Sequence, residues 1–500
     1  MNIATRLAPD RRLVTSFIDG AAAATGPGTL IEVIDPATEQ VVGELREADA
    51  GEVGQAVAAA RRAFDTGPWP RMSSDERKAI LYRIRDVILQ HRDELLALEV
   101  MNTGLPVASV AWQVSRAAAN FEMFADVAST LAGQTFTQDP RYLTYVTREP
   151  KGVAALIAPW NAPLALASMR IATCIAFGNT CVLKPSEYTP HSILRMVELC
   201  HVAGLPNGVL NLVNGRGHVT GESLVSHPGI DMVGFTGGSE TGRSIMAAAG
   251  RNLKPCILEL GGKSASIVFD SADLDQAIDG TLMGIFSNNG QQCLAGSRIL
   301  IQRSVADRYI DAFTRRARAI RIGNPLDPNT EMGPLAFRRH MERVLSFADI
   351  ARAEGGEILT GGKRAEGFDA GYYVEPTIVL AKDNEARVCQ EEIFGPFASL
   401  VLFDDPEEAV AIANASAFGL VSYVWSNDLA VTMKASRDIR AGTIWVNTPM
   451  MRELRAPFGG YKESGIGRDG MSSSADFFTE LKTTSIPYGR IAIPRIGLGG

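Results

Sequence analysis

A thiol is the strongest nucleophile a side chain offers near neutral pH. This chain has six, at positions 174, 181, 200, 256, 293 and 389. Cys174, Cys181 and Cys200 lie in apolar runs and fit the part of buried fillers. Cys293 sits instead in Gly290-Gln291-Gln292-Cys293, a polar glycine-rich turn. A thiol there either packs inertly or is presented for attack. Leu258-Glu259-Leu260-Gly261-Gly262-Lys263 places one carboxylate among apolar and glycine residues. A carboxyl so placed either closes a strand end through a salt bridge or keeps its proton to higher pH and serves as a general base. Ala158-Pro159-Trp160-Asn161 ends an apolar run with a side-chain amide that can close a turn or donate to an oxyanion.

Two glycine clusters could approach phosphate: Gly215-Arg-Gly217-His-Val-Thr-Gly221, and Phe235-Thr236-Gly237-Gly238-Ser239-Glu240-Thr241-Gly242. The second follows a predicted strand and opens a predicted helix, so its free N–H groups suit a pyrophosphate; glycines there also serve as plain turns. No GxGxxG follows any predicted strand, and the usual dinucleotide fingerprint is therefore absent. Lys184-Pro185-Ser186-Glu187 leaves another strand tip. Its two charges either begin a helix or bracket a ribose, in which case the carboxylate would repel a 2′-phosphate and favour NAD over NADP. The cysteines form no CxxC pair and, with six His, show no zinc spacing, so no metal is expected.

These residues need a scaffold. At about 100–200 residues per domain, 500 residues suggest two to four units. With 46% hydrophobic residues, 21% charged residues and 48 Gly, the chain can build a large core without disulfides. Residues 73–100 read as one amphipathic helix. Ser73 and Glu76 have capping-box spacing, and Ile80, Ile84, Val87, Ile88 and Leu95 recur at helical intervals. From 153 onward, short β-rich runs (153–158, 181–183, 209–213, 232–235) alternate with helix-length segments, which predicts βαβ units and a parallel sheet. Ligands in such sheets bind at the carboxyl ends of the strands. A second α/β rhythm starts near 262, with strands at 299–302, 377–380, 399–403 and 443–446. The boundary falls at the Gly-Gly after Leu260, and the tail from Lys482 to Gly500 reads as extended chain that pairs with something.

A net charge of −7 without a basic block makes nucleic acid an unexpected partner. Residues 152–183 hold one charge, Arg170, but Pro159, Asn161, Pro163, Gly178 and Asn179 interrupt them. They read as a buried strand–turn–helix–strand, not a membrane span. Met1 to Arg12 lacks the apolar core of a signal peptide, so the expectation is a cytoplasmic protein with reduced thiols.

In order and spacing, Asn161, Lys184, Glu187, the 235–242 turn, Glu259, Cys293, Glu391-Glu392-Ile393-Phe394-Gly395-Pro396 and Pro457-Phe458-Gly459-Gly460-Tyr461-Lys462-Glu463-Ser464-Gly465 resemble the aldehyde dehydrogenase superfamily. The resemblance runs from about residue 15 to residue 485. It implies an α/β fold of two parallel-sheet domains plus a small bridging β-element. The NAD-binding domain takes 1–126 and 150–261, the catalytic domain 262–463, and the bridge 127–149 and 477–500. Such bridges pair across subunits, which implies a homodimer or homotetramer. It implies a small-molecule aldehyde as substrate and Cys293 as the attacking thiolate. It further implies that Asn161 and the Cys293 backbone N–H hold the oxyanion, that hydride passes to NAD, and that Glu259 activates the water that hydrolyses the thioester. Lys184 joins both the catalytic and the cofactor set. With it, Ile157, Trp160, Glu187, Gly217, Thr236, Gly237, Gly238 and Leu260 are implied around the adenosine and pyrophosphate. Glu392 and Phe394 are implied at the nicotinamide ribose and ring. The chain departs from many relatives at Gly237-Gly238, where they have Gly-Ser; the hydroxyl contact to phosphate is then missing or comes from Ser239.

Asn447-Thr448-Pro449-Met450-Met451-Arg452-Glu453-Leu454-Arg455-Ala456-Pro457 and Ser115-Arg116-Ala-Ala-Ala-Asn120-Phe121 look similar to the branch acting on muconic-type semialdehydes. Guanidinium groups at Arg116, Arg455 and Arg452 would suit a carboxylate-bearing substrate. Otherwise they form structural salt bridges, with Glu453 for instance, and the substrate is an ordinary aliphatic or amino aldehyde. A CoA-acylating relative would have no use for Glu259.

Overall fold

The computed structural model describes residues 12–24, 28–494 and 496–497. Its first sheet has eight strands, ordered Gly465–Ile466, Cys256–Glu259, Met232–Thr236, Val153–Ile157, Thr180–Lys184, Leu210–Leu212, Phe17–Ile18, Ala21–Ala22. The five from Cys256–Glu259 to Leu210–Leu212 are parallel. Along them residues alternate between two cores. Ala154, Leu156, Cys181 and Leu183 enter one; Val153, Ala155, Val182 and Val233 enter the other. Both faces are covered, which is why these strands read as unbroken apolar runs.

The register decides where function can lie. Ile157 pairs with Lys184, Phe235 with Ile157, and Thr236 with Glu259. Four strands therefore end together, and Trp160, Asn161, Glu187 and Gly238 leave from that one edge.

The second sheet has seven strands, ordered Glu357–Thr360, Thr377–Leu380, Phe397–Phe403, Arg298–Gln302, Ala265–Val268, Val421–Trp425, Thr443–Val446. All its pairings are parallel except that of Glu357–Thr360 at the edge. A third sheet joins Gln134–Phe136, Tyr142–Pro150 and Thr479–Pro487 antiparallel, with Pro150 opposite Thr479 and Tyr142 opposite Pro487.

Several expectations are corrected. Residues 73–100 form two helices, Ser74–Gln90 and Arg92–Thr103, divided at His91. His91 takes φ −99, ψ 21, which breaks the ladder while the apolar stripe carries across. The Ser73–Glu76 capping box is present. Helix Val107–Thr130 runs past residue 126, so the first strand of the small sheet starts at Gln134 rather than near 127. After residue 463 the chain rejoins the first sheet: Gly465 pairs with Glu259, and helix Met471–Phe478 packs on helix Pro163–Ala176. The extended tail pairs through Thr479–Pro487; of the rest, residues 495 and 498–500 lie outside the described residues. Residues 152–183 are strand, turn, helix and strand. Among the described residues no helix is long and apolar enough to cross a membrane.

Candidate active site

Asn161 lies between strand Val153–Ile157 and helix Pro163–Ala176. The start of that helix is fixed by buried Glu99, whose Oε1 accepts from the Leu164 N–H at 3.0 Å. Burial pushes the Glu99 carboxyl up to about 7. The Cys293 turn comes from the other unit, after helix Leu274–Phe286. Asn288 and Asn289 both adopt left-handed backbone, φ 54 and 56, which asparagine tolerates better than most residues. Asn289 Nδ2 donates to the carbonyls of Gly104 (3.3 Å) and Pro334 (2.8 Å), and its Oδ1 accepts from Gly333 N–H at 2.8 Å. At Gly290, φ is 71 and an added β-carbon would lie 2.2 Å from the Gly395 backbone, so only glycine fits.

The two loops meet through an amide. Asn161 Nδ2 donates to the Gln291 carbonyl at 2.9 Å, two residues before Cys293. Cys293 is partly buried, and loss of water pushes its thiol up to about 12. The charges of Glu259 and Glu392 add to this, and Arg452 pulls the other way. Glu259 ends strand Cys256–Glu259, buried, with no hydrogen-bond partner for either carboxylate oxygen among the described residues. Its proton is held well above the usual carboxylate range, by burial first and then by Asp469, against Arg170, Arg452 and Arg468. Gly459 leaves it room: a β-carbon there would lie 2.8 Å from Glu259 Oε1. Once deprotonated, a desolvated carboxylate of this kind is basic enough to take a proton from water.

The strand-end edge also offers a cradle. Lys184 is buried; its Nζ donates to the Pro185 carbonyl at 2.7 Å and lies 3.6 Å from Glu187 Oε2. Helix Ser239–Gly250 starts at Gly238 without a side-chain cap, which leaves its first N–H groups free for an anion. A β-carbon at Gly217 or at Gly238 meets nothing within 4 Å, so both face open space. At Gly237 it would strike the Phe235 ring at 2.4 Å. Thr236 Oγ1 accepts from Arg170 at 3.3 Å, while buried Leu260 abuts Gly242. Ile157 is half-buried at its strand end. Ser239 Oγ donates to the Glu463 carbonyl at 3.2 Å.

Trp160 forms edge-to-face contacts with Phe394 (5.3 Å), Phe337 (5.2 Å) and His340 (5.1 Å). Glu392 Oε1 accepts from Gly262 N–H at 2.8 Å, while Phe394 sits at φ 63, strained for a bulky residue. Three side-chain donors on one helix, Arg338–Ala353, hold that loop. Arg343 donates to the carbonyls of Glu392 (2.7 Å) and Ile393 (2.9 Å), and His340 Nε2 to that of Phe394 (2.7 Å). Burial pulls His340 down to about 4, so the ring is neutral with its one N–H facing Phe394. Sequence reasoning missed both residues. Their i, i+3 spacing puts them on one helix face, but nothing in the sequence ties that face to the loop around residue 393.

The arginines separate. Arg116 makes no ion pair or hydrogen bond among the described residues; it lies 5.8 Å from the ring centre of Trp112, a side chain 60% exposed. Burial, and then the charge of Arg452, pulls Arg116 down to about 10. Arg452 lies over the Phe458 ring at 3.9 Å, with its buried Nε unpartnered. Arg455 is not brought to the site. Its side chain is 69% exposed and paired to Glu453 by two 2.8 Å bonds.

Residues 22–484 match the aldehyde dehydrogenase family. The chain belongs to that family. It is 40% identical to a 2-hydroxymuconic semialdehyde dehydrogenase of Pseudomonas sp. (strain CF600), over 95% of this chain and 99% of the relative. It is 39% identical to aldehyde dehydrogenase 1 of Tanacetum cinerariifolium, over 96% of each. An NAD+ complex of an aldehyde dehydrogenase from Bacillus cereus superposes with a TM-score of 0.93 at 38% identity, covering 96% of this chain and 97% of that one. This aldehyde dehydrogenase is therefore an NAD-dependent enzyme, and the open glycine turns, the uncapped helix start and the Lys184–Glu187 pair fit that cofactor.

Proposed function

We propose that this aldehyde dehydrogenase oxidises its substrate to a carboxylic acid through a thioester on Cys293. The supporting observation is the meeting of the Asn161 amide with the Cys293 turn, beside a buried and unpartnered Glu259. Cys293 loses its proton to water and attacks the aldehyde carbon as the thiolate, which makes that carbon tetrahedral and able to release its hydride. The Asn161 amide and the Cys293 N–H stabilise the oxyanion. Bound NAD supplies the hydride acceptor. Lys184 and Glu187 hold the adenosine ribose, and Ile157, Trp160, Gly217, Thr236, Gly237, Gly238 and Leu260 surround the adenosine and pyrophosphate. Glu392 and Phe394 position the nicotinamide riboside. Glu259 takes a proton from the water that cleaves the thioester and so returns the thiol. The three-stranded sheet, with Leu481, Ile486 and Tyr488 exposed along it, supports association into a dimer or tetramer.

The substrate class is a carboxylate-bearing semialdehyde of aromatic catabolism. Arg116, without an ion pair among the described residues, and Arg452, whose Nε has no partner among them, support it; the Pseudomonas relative is named for 2-hydroxymuconic semialdehyde. The test is NADH formation with a ring-cleavage semialdehyde beside a neutral aldehyde of similar size. The expected kcat/KM is more than about tenfold higher for the acidic one, worth about 1.4 kcal/mol in the transition state. Equal values would return the enzyme to the broad-specificity reading.

A further inference from the structure

Asn288 holds no reacting atom, yet its side chain joins the two loops that build the oxyanion pocket. Its Nδ2 donates to the Asn161 carbonyl and to the Gln291 carbonyl, each at 2.9 Å. Its Oδ1 accepts from Gln113 Nε2 at 3.3 Å. Backbone carbonyls cannot donate, so the group facing both of them must be the amide nitrogen. Gln113 then fixes the opposite end of the same amide.

The Gln291 carbonyl receives two N–H groups, one from Asn288 and one from Asn161. Its two acceptor positions are filled. Asn161 Nδ2 spends one hydrogen on that carbonyl, and the second has no acceptor among the described residues. The direction of this second N–H is set by where the Gln291 carbonyl sits, and that carbonyl is held by Asn288. The backbone beneath Asn288 is fixed separately, by the bonds of Asn289 to Gly104, Gly333 and Pro334.

We propose that Asn288, oriented by Gln113, is a positioning residue that aims the Asn161 amide at the substrate oxygen. This rests on the reading of Asn161 as the oxyanion donor. Gln113 lies three residues before Arg116 on helix Val107–Thr130. The same helix thus braces the oxyanion pocket and carries the arginine assigned to the substrate carboxylate.

The test compares Asn288→Gly, Asn288→Asp, Gln113→Leu and Asn161→Ala. Glycine adopts a left-handed backbone without strain, so Asn288→Gly removes the side-chain bonds alone. Its kcat should fall about 10- to 100-fold, since a displaced donor loses most of its effect. NAD affinity by calorimetry should stay within about twofold, and alkylation of Cys293 by iodoacetamide within about threefold, because neither uses the Asn161 amide. Asn288→Asp, which presents only acceptors to two carbonyls, should fall as far. Gln113→Leu should lose about three- to tenfold. Full kcat in Asn288→Gly, with Asn161→Ala inactive, overturns the positioning role. So does a loss in Asn288→Gly of NAD affinity and alkylation together, which marks loop collapse. Full kcat in Asn161→Ala overturns the underlying reading instead. Should Asn288→Gly not fold, Gln113→Leu decides, and full kcat there overturns the proposal.

Discussion

Arg170 Nη1 lies 2.6 Å from Asp469 Oδ1, with both side chains buried, and this pair stands beside the carboxyl of Glu259. Arg170 comes from helix Pro163–Ala176 and Asp469 from the segment that returns to the first sheet. Asp469 raises the Glu259 pKa and Arg170 lowers it. Glu259 must lose its proton to act as a base. In Asp469→Asn the raising charge is gone and the cation is unopposed, so the acid limb of the kcat–pH profile should move to lower pH. Thermal unfolding should show a cost of about 3–5 kcal/mol for breaking a buried pair. An unmoved limb would mean that Glu259 does not set it.

Arg452 lowers both Glu259 and Cys293. Arg452→Gln should therefore raise both groups and shift the acid limb of kcat/KM to higher pH, with slower alkylation of Cys293 at pH 7. A profile that coincides with the parent enzyme would remove Arg452 from the electrostatics of the site.

Arg116→Ala should raise KM for an acidic semialdehyde about tenfold or more and leave a neutral aldehyde within about twofold, as expected for losing a charge-assisted contact. Arg455→Ala should change neither, because its guanidinium is exposed and tied to Glu453. Equal effects of Arg116→Ala on both aldehydes would contradict the carboxylate clamp.

Gly238 and Gly237 should respond in opposite ways. The β-carbon of Gly238→Ser enters open space at a helix N-terminus, where the added hydroxyl can donate to a phosphate oxygen. Tighter NAD binding, with KM for aldehyde unchanged, is the expected result by calorimetry. Gly237→Ala would meet the Phe235 ring and should weaken NAD binding. Equal affinities in the two variants would place the pyrophosphate elsewhere.

His340 and Arg343 hold three successive carbonyls of the loop that carries Glu392 and Phe394. His340→Phe keeps a ring but removes the donor. NAD affinity should drop about threefold to tenfold, as for one lost hydrogen bond of roughly 1 kcal/mol. Unchanged affinity would show that the strained φ of Phe394 is supported by packing alone.

Eight strands of the two large sheets were legible because apolar runs bounded by glycine, proline and asparagine have few other readings, and their observed ends differ from the expected ones by at most two residues; Cys256–Glu259, Ala265–Val268 and Val421–Trp425 were not picked out. The break at His91 was not legible, since apolar spacing continues across it while one residue's φ/ψ interrupts the hydrogen bonds. At the site, the polar turn of Cys293, the lone carboxylate of Glu259 and the strand-end amide of Asn161 each had a plain structural alternative, and only their joint order and spacing, through the resemblance, made them candidates. Asn288, His340 and Arg343 act through contacts to backbone carbonyls distant in sequence, and such contacts leave no pattern in residue order. Arg455 shows the reverse error: charge near a motif says nothing about which way a side chain turns.

The most direct test of the thioester account is mass spectrometry of Glu259→Gln quenched after mixing with NAD and aldehyde. With the general base removed, the enzyme should release NADH in a burst near one per active site and then stall. The Cys293 peptide should gain the mass of the acyl group less one hydrogen. A burst of NADH without that adduct, or an adduct on another cysteine, would contradict the assignment of Cys293 as the nucleophile.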